Sequence, residues 1–352
     1  MIEQATPKIF DEYIGQTKAK EILQTVLNST KQQMRNILAK NNQEAFNEAA
    51  MLMPPSILII GPPGYGKTRL AQIYASQMYQ LSKSEDWPQW ASDNQNYGKE
   101  VWNGIGLPNE PYFFAATEGK DLSTAKILDH YFFYLQVQGV LFIDECQTIP
   151  EKMHEYFLRI MTEQKYQSKI ANKLIDHFGF TLIGATTHEG KLFRPFLERF
   201  KLIITLENYT EKELSDMILQ YCNKLDYNIE ANALQLLISR SRDNPRTITQ
   251  NLDMFLMIKG FESHNISLAD AQKATELRGI GDYGLMSRDI QILKTLEEHS
   301  PLGAEVLCTI IDAVDIDNYK AWERYLINKG YIIPTRAGRI LTEKGRKILK
   351  EI

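Results

Sequence analysis

Apolar residues in this 352-residue chain fall into two kinds of pattern, and the change from one to the other divides the molecule. Ile22, Leu23, Val26 and Leu27 recur at the spacing of one helix face, which predicts helix across the first fifty residues after a turn at Gly15. Three runs that are apolar throughout, SILIIG, VLFIDE and FTLIGATT, follow at wide intervals with helical patterns between them. Continuous rather than alternating hydrophobicity marks strands buried on both faces, so these runs predict a parallel sheet covered by helices, an α/β core. After Leu206 the strand signals stop. NYTEKELSDMILQYCNKL, ANALQLLISRSR and PRTITQNLDMFLMIKGF read as amphipathic helices of a small all-α domain, the first opened by a capping box of Thr210 and Glu213. A glycine-rich joint, ELRGIGDYGL, precedes a last segment of about 70 residues, near the lower end of domain size. Its pattern is three helices and then KGYIIPTRAGRILT, a two-stranded ribbon turning near Ala337 and Gly338. The expected domains are 1–206, 207–278 and 279–352.

Composition narrows the class mainly by exclusion. Hydrophobic residues make up 43% and charged residues 24%, as in a soluble globular protein, and the net charge of −4 excludes a globally basic nucleic-acid coat. Contact with nucleic acid must then be local, and from Arg324 to Ile352 eight Lys or Arg stand against two acids. Such a patch is the electrostatic footprint of phosphate-backbone binding, although a solvated terminal helix would carry the same charges. Cys146, Cys222 and Cys308 are distant from one another and odd in number, which predicts reduced thiols. The six histidines form no close ligand pair, so no metal beyond magnesium is expected. No run approaches the ~18 apolar residues of a bilayer span, and MIEQATPKIF lacks the blocks of a signal peptide, which points to the cytoplasm. Trp87, Trp90 and Trp102 lie in a polar stretch between Tyr79 and Pro111, a loop long enough to suggest a role beyond packing on its own domain.

The candidate chemistry sits where the strands end. GPPGYGKT, that is Gly61, Pro62, Pro63, Gly64, Tyr65, Gly66, Lys67 and Thr68, fits G-x-x-x-x-G-K-[ST] after a strand, with Arg69 next and AQIYASQMY reading as the helix that follows. Glycines let the backbone approach an anion and the helix start aims unpaired N–H groups at it, so the loop is expected to cradle a phosphate chain. Lys67 would reach the β and γ oxygens, and Thr68 would bind Mg²⁺. VLFIDE delivers Asp144 for the magnesium and Glu145 for the attacking water, at the sheet edge where ligands of open α/β sheets bind. FTLIGATT would lie beside that strand and end in Thr186 and Thr187, hydroxyls able to sense the γ-phosphate. Two further cations, Arg199 in PFLERF and Arg246 in DNPRTI, would stabilise the transition state from a neighbouring subunit and from the same chain, unless they are ordinary surface ion pairs. Together these features mark an NTP hydrolase that uses ATP and Mg²⁺.

In this order the residues resemble the AAA+ ATPases, a P-loop parallel-sheet core followed by an all-α lid. FDEYIGQ (residues 10–16), GPPGYGKT, VLFIDE, FTLIGATT, PFLERF, SRSRDNPR and GYIIPTRAGRILT further resemble, in order, segments of the RuvB family of Holliday-junction branch-migration motors. The resemblance implies that Tyr13 and Ile14 line the adenine pocket with Pro245 near the same ring. It also implies that Thr186 is sensor 1, Arg199 the trans-acting arginine finger and Arg246 sensor 2 of the lid. The terminal domain would be a winged helix with Arg336 and Arg339 in the DNA-touching wing. The implied assembly is a ring, a hexamer, moving duplex DNA; an ATP-gated loader or adaptor that recruits a partner without processive movement is the alternative. Three departures stand out. The stretch between Met161 and Phe180, where RuvB carries the hairpin that docks RuvA, is shorter, which weighs against a RuvA-like partner. The tryptophan-rich segment is additional. Leu197 stands where RuvB has an arginine, and Gln147 stands where a histidine follows the acidic pair. These differences suggest a divergent relative of the kind carried by a phage or mobile element.

Overall fold

The computed structural model describes residues 9–40, 43–82, 112–163, 165–169, 172–176, 179–259 and 264–352. The tryptophan-bearing stretch lies outside the described residues. The chain divides into two compact units, Pro7–Asn208 and one containing Tyr209–Ile352.

In the first unit, helices α1 (Thr17–Leu38) and α2 (Gln43–Met51) lead to strand β1 (Ile57–Ile60) and helix α3 (Lys67–Ser82). Strand β2 (Tyr112–Glu118), helix α4 (Ala125–Tyr134), strand β3 (Leu135–Asp144) and helix α5 (Glu151–Glu163) follow. A hairpin of β4 (Lys165–Ser168) and β5 (Lys173–Asp176) comes next, then strand β6 (Thr181–Thr186), a short helix α6 (Arg194–Leu197) and strand β7 (Leu202–Thr205). Five strands form one parallel sheet in the order β2-β3-β6-β1-β7. The three expected strands are its centre: β6 is buried at every position, and Ile57, Leu58 and Ile59 of β1 are fully buried, as a sheet covered on both faces requires. The two outer strands are absent from the sequence reading. LIIT of β7 alternates in burial along an edge, and the Ala-Ala of YFFAATE in β2 favours helix as readily as strand, so neither carries the signature of a central strand.

Packing fixes the sheet against its helices. Leu128 and Phe132 of α4, Met153, Phe157 and Ile160 of α5, and Phe196 and Phe200 flanking Arg199 share one core with Leu141, Ile143 and Leu182. At the start of α1, Gln16 adopts a left-handed backbone (φ 51°). Its side chain donates to Glu207 O (2.8 Å) and accepts from Glu207 N–H (2.9 Å), which ties α1 to the chain leaving β7. The shorter stretch after α5 still folds as an antiparallel hairpin. Buried Asp129 of α4 anchors it, accepting from Ser168 Oγ (3.0 Å) and Lys169 N–H (2.6 Å).

In the second unit, helices α7 (Glu211–Lys224), α8 (Ala231–Ser239), α9 (Pro245–Lys259) and α10 (Leu268–Leu277) form the all-α part, with two-residue strands β8 (Asn228–Ile229) and β9 (Asn265–Ile266) pairing between them. The capping box opens α7 as expected: Thr210 Oγ accepts from Glu213 N–H and the Glu213 carboxylate accepts from Thr210 N–H. Beyond the glycine joint come α11 (Ser287–His299), α12 (Ala304–Ile310), α13 (Ile316–Asn328), β10 (Ile332–Thr335), β11 (Gly338–Leu341) and α14 (Glu343–Glu351), a winged helix around Leu293, Leu296, Tyr319, Leu326 and Ile332. Leu302 exchanges both backbone hydrogen bonds with Arg339 and so widens the β10–β11 ribbon.

Candidate functional site

Parallel register brings the candidate residues to one edge. Glu118 at the end of β2 pairs with Asp144 at the end of β3, and Thr186 at the end of β6 pairs with Ile60 at the end of β1. Immediately after Ile60 the loop Gly61–Thr68 turns, with Gly64 at φ 84° and Gly66 at φ 91°, a conformation that suits glycine. Lys67 opens α3, is buried, and donates through Nζ to Gly61 O (2.8 Å) and Pro62 O (3.3 Å). The loop therefore wraps its own cation at a helix N-terminus, where the first N–H groups lack intrahelical partners. A phosphate chain is the ligand for which such a concavity is built.

Tyr13, buried, packs against the loop from below. Its hydroxyl donates to Tyr65 O (3.2 Å), and a Cβ added at Gly66 would stand 2.0 Å from Tyr13 Oη. Tyr65 in turn donates to Asn208 Oδ1 (3.1 Å). Ile14, Pro62, Gly64, Thr68 and Arg69 are half-buried and Pro63 is exposed around the same turn.

The acidic pair has two different environments. Burial pushes the Asp144 carboxyl above the usual aspartate range, against opposing pulls from Glu145 N–H (3.0 Å) and the Lys67 ammonium. A carboxylate in that condition is one that a cation would stabilise. Asp144 and the Thr68 hydroxyl offer few oxygen donors, and the described residues hold no cluster of three or more acidic, His or Cys ligands. Such a set fits magnesium, which keeps waters and shares a nucleotide's oxygens, better than an ion needing a full protein cage. For Glu145, burial alone would raise the carboxyl. Hydrogen bonds from Gln147 Nε2 (2.6 Å) and Thr187 Oγ1 (2.9 Å), with Lys67 nearby, outweigh it and hold the group below the usual glutamate range. Glu145 is thus poised as a carboxylate. Between Glu145 and Gln147 in the chain, Cys146 is buried and its thiol is pushed up to about 12, so it packs and does not react.

Thr186 is fully buried. Its hydroxyl accepts from His188 N–H (3.0 Å) and donates to Gln147 Oε1 (2.6 Å). Thr187 touches the carboxylate directly. Gln147 stands out in the sequence only as a departure; its bridging position depends on the ends of β3 and β6 meeting, which no local pattern reveals.

The candidate arginines fall into two groups. Arg199 is exposed between buried Phe196 and Phe200, whose rings lie 5.0 Å apart, so the guanidinium stands on a rigid footing without an ion-pair partner among the described residues. Arg194, by contrast, pairs with Glu198 (3.3 Å) on the surface. In the second unit, Pro245 begins α9 and Arg246 follows, exposed, with its backbone N–H bonded to Asn244 Oδ1 (2.9 Å). Arg336 occupies the exposed turn between β10 and β11. Arg339 does not share that freedom: Nε and Nη2 donate to the two carboxylate oxygens of buried Glu323, each at 2.8 Å.

Comparisons with known proteins place the chain in a family. A profile described as "RuvB C-terminal winged helix domain" matches residues 282–350, and one described as "ATPase family associated with various cellular activities (AAA)" matches residues 57–208. The chain is 30% identical over 358 residues to the Holliday junction branch migration complex subunit RuvB of Thermotoga maritima, covering 98% of this chain and 91% of that protein. It is 30% identical over 356 residues to the subunit of the same name from Clostridium kluyveri, covering 97% and 86%. The solved structure of the Thermotoga maritima RuvB branch migration motor superposes with a TM-score of 0.72 at 29% identity, over 99% of this chain and 98% of that one.

Proposed function

We propose a mechanism from one premise: the chain belongs to the RuvB family of AAA+ ATPases. It is an ATP-hydrolysing motor, and on our reading it drives branch migration of Holliday junctions. The reading rests on the sharing of one sheet edge by Lys67, Asp144, Glu145 and Thr186, the set of groups that ATP hydrolysis requires.

In this proposal the N–H groups of the Gly61–Thr68 loop hold the β-phosphate, and Lys67 exchanges its contacts with Gly61 O and Pro62 O for phosphate oxygens. Tyr13 and Ile14 border the adenine, with Arg69 beside the phosphate loop. Thr68 and Asp144 would hold magnesium, which when bound supplies positive charge to the bridging oxygens. Glu145, held ionised, accepts a proton from the attacking water, and Thr186 orients against the γ-phosphate. Arg199 reaches the nucleotide of the next subunit, which makes the active unit a ring; the family pattern suggests a hexamer. Arg336, in the basic terminal segment, meets the DNA backbone. The relatives are named as subunits of a complex, so a partner protein is proposed as well, with the β4–β5 hairpin as its landing place.

The test is a synthetic four-way junction with purified protein, ATP and a junction-binding partner. The wild type is expected to move the branch point, while Glu145→Gln binds ATP and junction without moving it. DNA-stimulated hydrolysis with no displacement of the branch would replace the motor by the loader reading.

A further inference from the structure

We propose that Gln147 is a positioning residue for the hydrolysis step, its side-chain amide joining the Thr186 hydroxyl to the Glu145 carboxylate so that the orientation of the base depends on the sensor. The inference rests on the reading of Glu145 as base and Thr186 as γ-phosphate sensor.

The polarity of the bridge is set by counting protons. Thr186 Oγ1 accepts from His188 N–H (3.0 Å), which leaves its own proton to donate, and it donates to Gln147 Oε1 (2.6 Å). An ionised carboxylate only accepts. Gln147 must then turn Nε2 toward Glu145 Oε2, and does so at 2.6 Å. The same oxygen accepts from Thr187 Oγ1 (2.9 Å). One amide therefore spans the ends of β3 and β6, strands already locked in register by Ile143 and Gly184. The backbone makes this possible: Glu145 lies in the left-handed region (φ 43°), and the chain turns at once into a 3-10 turn, Cys146–Thr148, closed by Thr148 N–H on Glu145 O (2.8 Å). That bend folds Gln147 back over the carboxylate two residues before it. A non-glycine residue held at positive φ beside a reacting group is the kind of strain that functional sites retain.

The role differs from structural packing in what it changes. Replacing Gln147 by leucine keeps volume and removes both hydrogen bonds. With one donor gone, the Glu145 carboxylate keeps only the Thr187 hydroxyl to fix its orientation. Steady-state ATP hydrolysis with DNA is measured for the wild type, Q147L, Q147E, Q147H, T186V and the Q147L/T186V double variant, with thermal melting and ATP-analogue binding as controls. Q147L is expected to lower kcat ~10- to 100-fold, the scale of a misplaced base, and to change KM by less than ~3-fold. Q147E has the same length and keeps an acceptor for Thr186 but loses the donor to Glu145, so it falls with Q147L. Q147H, whose neutral imidazole accepts at one nitrogen and donates at the other, recovers most of the rate. The double variant is no slower than the slower single one, because the two residues act in series. An active wild type whose Q147L and Q147E variants retain its kcat overturns the proposal, as does a double variant whose losses multiply. A wild type without ATPase activity, or E145Q hydrolysing at the wild-type rate, sinks instead the functional reading beneath it.

Discussion

Gly66 and Lys67 are neighbours whose side chains answer opposite demands, one by having none and the other by folding inward. At Gly66 the backbone lies at φ 91° and a methyl group would fall 2.0 Å from Tyr13 Oη, so Gly66→Ala must either move the tyrosine or open the loop. Left-handed backbone at a non-glycine residue costs about 1–2 kcal/mol before any clash is counted. We expect this variant to melt at lower temperature and to lose at least ~10-fold in ATP-analogue affinity, and Tyr13→Phe in the same background to recover part of both. Glu145 gives a prediction of a different kind. Its folded carboxyl is held below the ordinary range, so the ionised form stabilises the fold above the unfolded value, and that contribution disappears as pH falls through the folded one. Denaturant titrations at descending pH should show Glu145→Gln losing less stability across that window than the wild type.

The wing shows how two arginines three residues apart in one ribbon separate into different tasks. Arg339 points its fork at Glu323 and lies 5.8 Å from the Tyr319 ring, while Arg336 stands at the turn, exposed. Removing one member of a buried ion pair strands the other, at a cost of about 3 kcal/mol or more. Glu323→Ala should therefore destabilise the protein by about that amount in denaturant unfolding and weaken DNA binding only through the folded fraction. Arg336→Ala should leave stability unchanged and lower the slope of log affinity against log salt by about 1, the mark of one lost phosphate contact. A variant at Arg336 with an unaltered salt slope would remove this residue from the interface.

At the scale of the molecule, the loop that carries Pro245 and Arg246 is fastened to the winged helix. Arg240 donates to Asp282 Oδ1 (2.7 Å) and to Thr275 Oγ1 (2.7 Å), and Lys329 donates to Asp243 Oδ1 (2.8 Å). Arg242 pairs with fully buried Asp289, donates to Gly284 O (2.8 Å) and stacks 4.1 Å from the Tyr325 ring, while Asp289 also caps Met286 N–H (2.8 Å). The glycine joint between all-α part and winged helix is thus bolted on both sides, and these parts form one compact unit. Arg242→Ala leaves a buried carboxylate without its cation, and we expect a loss of about 3 kcal/mol in the second unit with ATP-analogue affinity of the first intact. Ring chemistry is tested by mixing: Lys67→Ala and Arg199→Ala proteins are each expected to be inactive, a missing trans arginine alone being worth ~10³–10⁵ in rate. Mixed rings should regain part of the turnover, since an intact Lys67 site can then face an intact Arg199. Mixtures as inactive as their parents would argue against a site shared between subunits.

Much of the candidate nucleotide site was legible because it is local in sequence: a glycine pattern between a strand and a helix and an acidic pair at a strand end each occupy fewer than ten consecutive residues. The central strands were equally legible, since burial on both faces writes itself as unbroken hydrophobicity. Edge strands β2 and β7 were not, because half-exposed strands have no such signature. The sequence also determined which cations exist; only the tertiary structure decided that Arg339 is spent on Glu323 and Arg336 is not, that Gln16 clasps Glu207 across 191 positions, and that Gln147 stands between a threonine and a carboxylate. These contacts join segments far apart in the chain, and hydrogen-bond partners at that range are chosen by register and packing, which no single stretch of residues contains.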